Sequence, residues 1–193
     1  MRTEDKNYDT PVWTGELVTG SLLLGVICIT VTERGLLEVT LTSDPAGVRT
    51  RLARRQGDSN SPIHARVPVY LKQVQEYLEG KRHHFDLPID WSEMSPFQLK
   101  VLRETFSIPF GHVRTYRGLA GALGQPEASR AVGSALAANP IAVVIPCHRV
   151  IGTDRLLHGY GAPGGLDTKA WLLELEGWVV RGSRVLGERR VPL

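Results

Sequence analysis

Residues 141–152 read IAVVIPCHRVIG, an apolar run that stops at a proline and is followed at once by a cysteine, a histidine and an arginine. A membrane span takes about 20 apolar residues, so this run is too short for one. It predicts instead a strand buried on both faces. A thiol attacks as thiolate, and a nearby base or positive charge is needed to lower its pKa from about 8.5. On an extended backbone adjacent side chains point to opposite sides, so His148 is expected to reach the Cys147 proton through a bridging water. A carboxylate would hold the imidazole in one tautomer, and Glu176, near the end of a helix over 166–177, is the candidate. Each residue also has a bland reading: a small buried cysteine, a surface histidine, a solvated carboxylate in a helix's last turn. Cys28 takes the bland reading.

The surrounding chain divides in two. Residues 22–42, LLLGVICITVTERGLLEVTLT, predict two alternating strands around a turn at Glu33-Arg34-Gly35. RRQGDSNSP (54–62) predicts an exposed loop, VPVYLKQVQEYLEG (67–80) a helix, and HFDLPID (84–90) a short strand or extended connection. A boundary falls at WSEMSP (91–96), with Ser95 and Pro96 as the cap and first turn of a helix over 96–108. Two short helices, 115–124 and 127–140, are joined by a tight Gln-Pro turn, which is a helix-turn-helix pattern. The surface candidates of the second are Ala128, Ser129, Ala131, Gly133, Ser134 and Ala135, with one large cation, Arg130. Small side chains permit close approach to another surface, although short helix pairs are common in proteins that bind no DNA. GTDRLLHGYGAPGG (152–165) is a glycine-rich loop suited to close over a flat ligand. Asp167 is the expected cap of the last helix.

Net charge sharpens the division. Residues 1–95 carry 11 Lys+Arg against 13 Asp+Glu, and residues 96–193 carry 12 against 7. A one-sided positive field suits a polyanionic partner, and equally a solvated basic face. Two cysteines 119 residues apart make neither a disulfide framework nor a zinc spacing, so free thiols in a reducing, cytoplasmic setting are expected. No secretory signal or membrane span is read from the sequence.

The run RAVGSALAANPIAVVIPCHRVIG (130–152) has FQLKVL and IPFGHVRTYRGLAGALG upstream and GYGAPGGL and WLLELEG downstream. Together these closely resemble the O6-alkylguanine-DNA alkyltransferases, over roughly residues 96–177. A weaker likeness through YLEGKRHHFDLPIDW and the strand pair reaches back to about residue 17. The resemblance implies an α/β fold: a small ribonuclease H-like N-terminal domain (1–94; three-stranded sheet plus helix), then a mostly helical domain (95–178) with the helix-turn-helix and an active-site loop. A basic, loosely held tail would cover 179–193. It implies double-stranded DNA containing O6-alkylguanine as partner, met in the minor groove by a monomer that could act cooperatively. The setting would be the nucleoid in a prokaryote and the nucleus in a eukaryote. The alkylated nucleotide would be flipped out, with Arg130 filling the vacated stack. Tyr116 would turn the adjoining phosphate and donate a proton towards guanine, and Asn139 would brace the turn before the active-site segment. Pro146, Val150, Tyr160 and Gly161 would form the base pocket. Cys147 would take the alkyl group, with His148, water and Glu176 as relay. A thioether has no evident way back to thiol, so the resemblance implies one turnover per molecule.

The chain departs from the family in its pocket loop, Tyr160 to Gly165, which is longer than the usual spacing. No cofactor and no metal are implied; the zinc ligands of some relatives' N-terminal domains have no counterpart, because Cys28 lacks a second cysteine. Two other functions fit parts of the pattern. A non-catalytic reader of alkylated DNA that recruits other repair factors would share the DNA-binding face, but such relatives replace the cysteine. A cysteine hydrolase would use the same Cys-His-Glu set and would leave RAVG and the helix pair unexplained.

Overall fold

β-branched residues alternating with polar ones favour a pleated, half-buried surface, and a three-stranded antiparallel sheet opens the structure, a computed structural model that describes residues 10–187. Its strands are β1 (Trp13–Val18), β2 (Val26–Thr32) and β3 (Gly35–Thr42), paired in that order. Helix α1 (Pro45–Leu52) follows, capped by Asp44. Helix α2 (Arg66–Leu78) crosses the sheet so closely that a Cβ on Gly15 would lie 2.4 Å from Val67. Only a residue without a side chain fits there. Gly35 serves the turn between β2 and β3 at φ 137°, and a side chain there would strike the Pro88 carbonyl.

The C-terminal part is mostly helical. Helix α3 (Pro96–Phe106) starts at the Ser95 cap with Pro96 in its first turn. Then come β4 (Arg114–Thr115), α4 (Tyr116–Ala122), a 3₁₀ turn at Pro126–Ala128, and α5 (Ser129–Ala137). A 3₁₀ turn at Cys147–Arg149 leads into β5 (Val150–Ile151), which pairs in parallel with β4. Helix α6 (Leu166–Leu175) and a hairpin of β6 (Val179–Arg181) and β7 (Arg184–Leu186) complete it. No helix among the described residues is long and apolar enough to cross a membrane. The described residues also hold no cluster of three or more His, Cys, Asp or Glu placed to bind a metal ion.

One apolar core runs through both halves, from Trp13 and the sheet to Leu172 of α6. The halves are also joined by backbone. Val39 N donates to the Pro140 carbonyl (2.9 Å) and the Val39 carbonyl accepts from Ala142 N (3.2 Å), so the segment before Cys147 is fastened to the edge of β3.

Four expectations are corrected. Residues 141–145 are not a strand: beyond a single bridge, Ile141 to Val39, they turn, and Val143 adopts φ 70°. A short buried apolar run has no periodicity to separate strand from turn, and here the Asn139 side chain and local turn bonds, not a ladder, satisfy most of its backbone. Asp167 does not cap α6; it lies in the first turn, and the cap position is Gly165. Ala135 is buried under α5, not on its surface. Residues 178–186 are not loosely held. Val185, only 2% exposed, packs with Ile151, Leu157 and Leu173, and Leu157 N donates to Ser183 O at 2.7 Å. Two valines in an arginine-rich stretch suffice to pin the hairpin down. Residues 188–193 lie outside the described residues.

Candidate active site

Three local structures meet at Cys147. The β4–β5 pairing, Arg114 to Val150 and Thr115 to Ile151, brings the start of α4 beside the end of the cysteine turn, so Tyr116 faces the sulfur's neighbourhood. Thr115 caps α4 by accepting from Gly118 N at 2.9 Å, which fixes where that helix begins. Asn139 supplies the third constraint. Its Oδ1 accepts from Ile141 N (3.0 Å), and its Nδ2 donates to Ile145 O (3.0 Å) and to Cys147 Sγ (3.3 Å). One amide thus spans the turn that holds Val143 in its strained conformation and touches the thiol at its end.

The Cys147 side opens into a cleft of about 740 Å³ between α5, the loop 158–162 and the edge of β3. Ser129, Arg130 and Gly133 line it from α5, Tyr116 from α4, and Tyr160 and Gly161 from the loop. Arg130 and Ser134 are exposed, as is Ala131, while Ala128 is half-buried against the core. Pro146 and Val150 are buried and do not line the cleft. The Val150 carbonyl is instead taken by Lys169 Nζ at 2.7 Å.

Behind the turn lies a sealed cluster. Because Cys147–Arg149 is a 3₁₀ turn and not extended chain, His148 and Arg149 both project inward. His148 Nε2 is 2.9 Å from Glu176 Oε1, and both side chains are fully buried. Arg149, a candidate cation for the thiol on sequence grounds, is committed elsewhere. Its Nε and Nη2 donate to Glu176 at 2.7–3.0 Å and its Nη1 to the Ile108 carbonyl. Gly111 N donates to Glu176 Oε2 (3.1 Å) and Tyr77 Oη to Oε1 (2.6 Å). His148 Nδ1 finds no protein partner among the described residues, and no hydrogen bond joins the imidazole to Cys147 Sγ there.

The electrostatics follow from burial and these partners. Burial alone would raise the Glu176 carboxyl, but hydrogen bonds from His148 and Arg149 hold it at about 2. Burial pushes His148 down, against the opposing pull of Glu176. The Cys147 thiol is pushed up by burial, with the Asn139 amide and the Lys169 charge pulling it back. Burial and the nearby sulfur raise Tyr116 to about 12, so its hydroxyl keeps its proton. Cys28 rises to about 11 inside β2 through burial, an inert thiol.

Sequence reasoning missed two members. Lys169 is 1% exposed, lowered to about 8 by burial, and donates to Val150 O, to His158 O (2.9 Å) and to Tyr116 Oη (3.4 Å). Its signal was present: Lys169, Leu172, Leu173 and Glu176 fall at i, i+3, i+4 and i+7, so the inward stripe of α6 carries a charge at each end. Tyr77 gave no such signal, being one aromatic on the apolar face of α2.

The chain is similar to known proteins over most of its length. Residues 96–178 match the family described as 6-O-methylguanine DNA methyltransferase, DNA binding domain, and residues 20–91 match its ribonuclease-like domain. The inducible methylated-DNA--protein-cysteine methyltransferase of Bacillus subtilis is 39% identical over 127 residues, 66% of each chain. That of Methanosarcina barkeri is 48% identical over 105 residues, 54% of this chain and 65% of its own. The match thus spans just under two thirds of these relatives' length. The crystal structure of Mycobacterium tuberculosis O6-methylguanine methyltransferase is 30% identical, with TM-score 0.70 over 86% of this chain and 92% of that one. The M. tuberculosis OGT solved in complex with DNA matches at TM-score 0.66.

Proposed function

The chain belongs to the 6-O-methylguanine DNA methyltransferase family, and on that premise we propose that it repairs DNA by moving an alkyl group from guanine O6 onto Cys147, once per molecule. The observation that carries this reading is the placement of Cys147: its sulfur borders an open cleft, while a buried imidazole–carboxylate pair stands behind its turn. A cleft of about 740 Å³ lies within the roughly 300–1,000 Å³ range of sites that enclose small ligands.

The chain's partner is duplex DNA containing O6-alkylguanine. The target atom is out of reach within the stack, so the nucleotide turns out into the cleft at a cost of a few kcal/mol. Helix α5 meets the minor groove through Ser129, Ala131, Gly133 and Ser134, whose small side chains let the backbone come close. Arg130, exposed at the rim of the cleft, takes the place of the extruded base. Tyr160 and Gly161 close on the base from the loop.

The chemistry is displacement at saturated carbon. Sγ bonds to the alkyl carbon, the carbon–O6 bond breaks, and its electron pair stays with guanine, which takes a proton from the Tyr116 hydroxyl. The thiol proton passes to His148 through one water, and Glu176 holds the resulting imidazolium. Lys169 adds a positive charge near the sulfur and anchors the Tyr116 hydroxyl. The product is a thioether, which neither His148 nor Glu176 can cleave. Mixing the protein with O6-benzylguanine should add one benzyl mass to the peptide containing Cys147 and to no other. An unlabelled, folded protein sinks the reading, as does continuous turnover of an ester.

A further inference from the structure

The relay proposed above is Cys147, His148 and Glu176, all in the C-terminal part, yet the structure places a fourth group in it from the other half of the chain. We propose that Tyr77 of α2 is a positioning residue for the alkyl transfer, fixing which nitrogen of His148 carries the proton and how tightly Glu176 holds it. The proposal rests on the transfer reading, and its geometry is independent of that reading.

Tyr77 is fully buried. Its hydroxyl donates to Glu176 Oε1 at 2.6 Å, and the same oxygen lies 3.2 Å from His148 Nε2. A phenol that gives its only proton to a carboxylate has lone pairs alone left to offer. Nε2 therefore faces two acceptors, the carboxylate oxygen and the phenol oxygen, and both demand that it carry hydrogen. Nδ1 is then the bare nitrogen, and among the described residues it finds no protein partner. That is the nitrogen able to receive the thiol proton.

The second effect is on basicity. Glu176 accepts from Tyr77, His148, Arg149 and Gly111. Each donor disperses its negative charge, so the carboxylate holds the imidazolium less tightly than an undivided one would. The charged or titratable groups around the ring are Glu176 from the end of α6, Arg149 from its own turn, Tyr77 from α2 and Lys169 from α6. Among the described residues only Tyr77 both donates to the carboxylate and accepts from the ring. Phe85 and Phe110 pack on the Tyr77 ring at centroid distances of 5.3 and 6.2 Å, so the hydroxyl cannot swing aside. Through this one side chain the N-terminal sheet and helix act on chemistry whose other members all come from beyond residue 100.

The test compares wild type with Tyr77→Phe, which keeps the ring and removes the hydroxyl. Single-turnover transfer from O6-benzylguanine should slow about 3- to 10-fold at neutral pH, the worth of one hydrogen bond. The acid limb of the rate profile should move to higher pH, and the His148 ring, followed by 15N NMR, should titrate higher by the same interval. A slower rate with an unmoved or lowered limb is what loosened packing would give, and it overturns the proposal. If the variant does not fold, the wild-type ring spectrum decides: a neutral His148 with its proton on Nε2 supports the assignment, and a proton on Nδ1 overturns it. A wild type that never labels Cys147 would sink the transfer reading, while the ring spectrum would still report on Tyr77.

Discussion

The two sides of the Cys147 turn obey opposite rules. In front is an open cleft whose α5 wall is nearly bare of bulk, with Arg130 and Ser134 in solvent. Behind is a cluster of His148, Arg149, Glu176 and Tyr77 in which every side chain is at most 7% exposed and the hydrogen bonds are dense. On the proposed reading, groups in front meet a ligand and contribute little to the fold. Groups behind hold the fold together and act on the ligand only through the turn. The 3₁₀ geometry at 147–149 separates them, since it sends Cys147 one way and the next two side chains the other. Activity and stability should therefore come apart in front and travel together behind.

The largest test of that contrast is Glu176→Gln. The amide is nearly the same shape but leaves Arg149 buried beside a neutral group, and breaking such a pair by losing one partner costs about 3–5 kcal/mol. Denaturant titration should show that loss along with loss of transfer; a variant of normal stability that is merely slow would break the comparison. Acid supplies the same test without mutation. A carboxyl held at about 2 when folded, against an ordinary value of 4.5, contributes stability that is complete above about pH 4.5 and is lost as pH falls towards 2. Melts across that window should show wild type losing more than Glu176→Gln, by about 3 kcal/mol.

Lys169 stands between the two sides. Lys169→Met keeps most of the stem and removes the charge beside the sulfur and the anchor on Tyr116. Transfer should slow by about tenfold, the worth of one charge-assisted hydrogen bond, in single-turnover labelling of Cys147. A rate equal to wild type would place Lys169 wholly with the structural groups behind the turn.

What could be read in advance follows the same division. The front was legible because its chemistry is written in consecutive residues: RAVG, the Asn-Pro and PCHR each announce themselves, and the helix pair and sheet hairpin carry clear periodicity. The back was legible only at His148 and Glu176. Arg149 stands two residues after the thiol in sequence, yet the turn points it at Glu176. Residues 141–145 looked like a strand because burial on all sides erases alternation, and the Asn139 side chain that replaces the ladder lies outside the run. Tyr77 is remote in sequence and ordinary in its own helix. Only tertiary contact gives it meaning.

In front, effects should fall on binding alone. Arg130→Ala removes the side chain held to fill the vacated stack, a contact that free base never makes. Repair of an O6-methylguanine duplex should fall about tenfold, the loss of roughly 1–2 kcal/mol of stacking, with the rate on O6-benzylguanine unchanged. Equal losses on both substrates would move Arg130 from the DNA to the chemistry.

The smallest effect should also be the sharpest, because its two readouts have opposite signs. A Cβ on Gly133 would sit 3.8 Å from the Tyr116 ring, ordinary contact distance, so Gly133→Ala introduces no clash within the protein. Glycine inside a helix costs about 0.5–1 kcal/mol relative to alanine, and φ at this position is helical, so α5 and the whole protein should gain about that much in a denaturant titration. On the proposed reading the same methyl stands on the wall that meets DNA, where it would hold the helix backbone off the groove. Duplex affinity at fixed salt should drop several-fold, roughly 1 kcal/mol, while free-base transfer stays at the wild-type rate. A variant more stable and equally tight on DNA would show that the bareness of this helix serves packing against Tyr116 and has nothing to do with the groove.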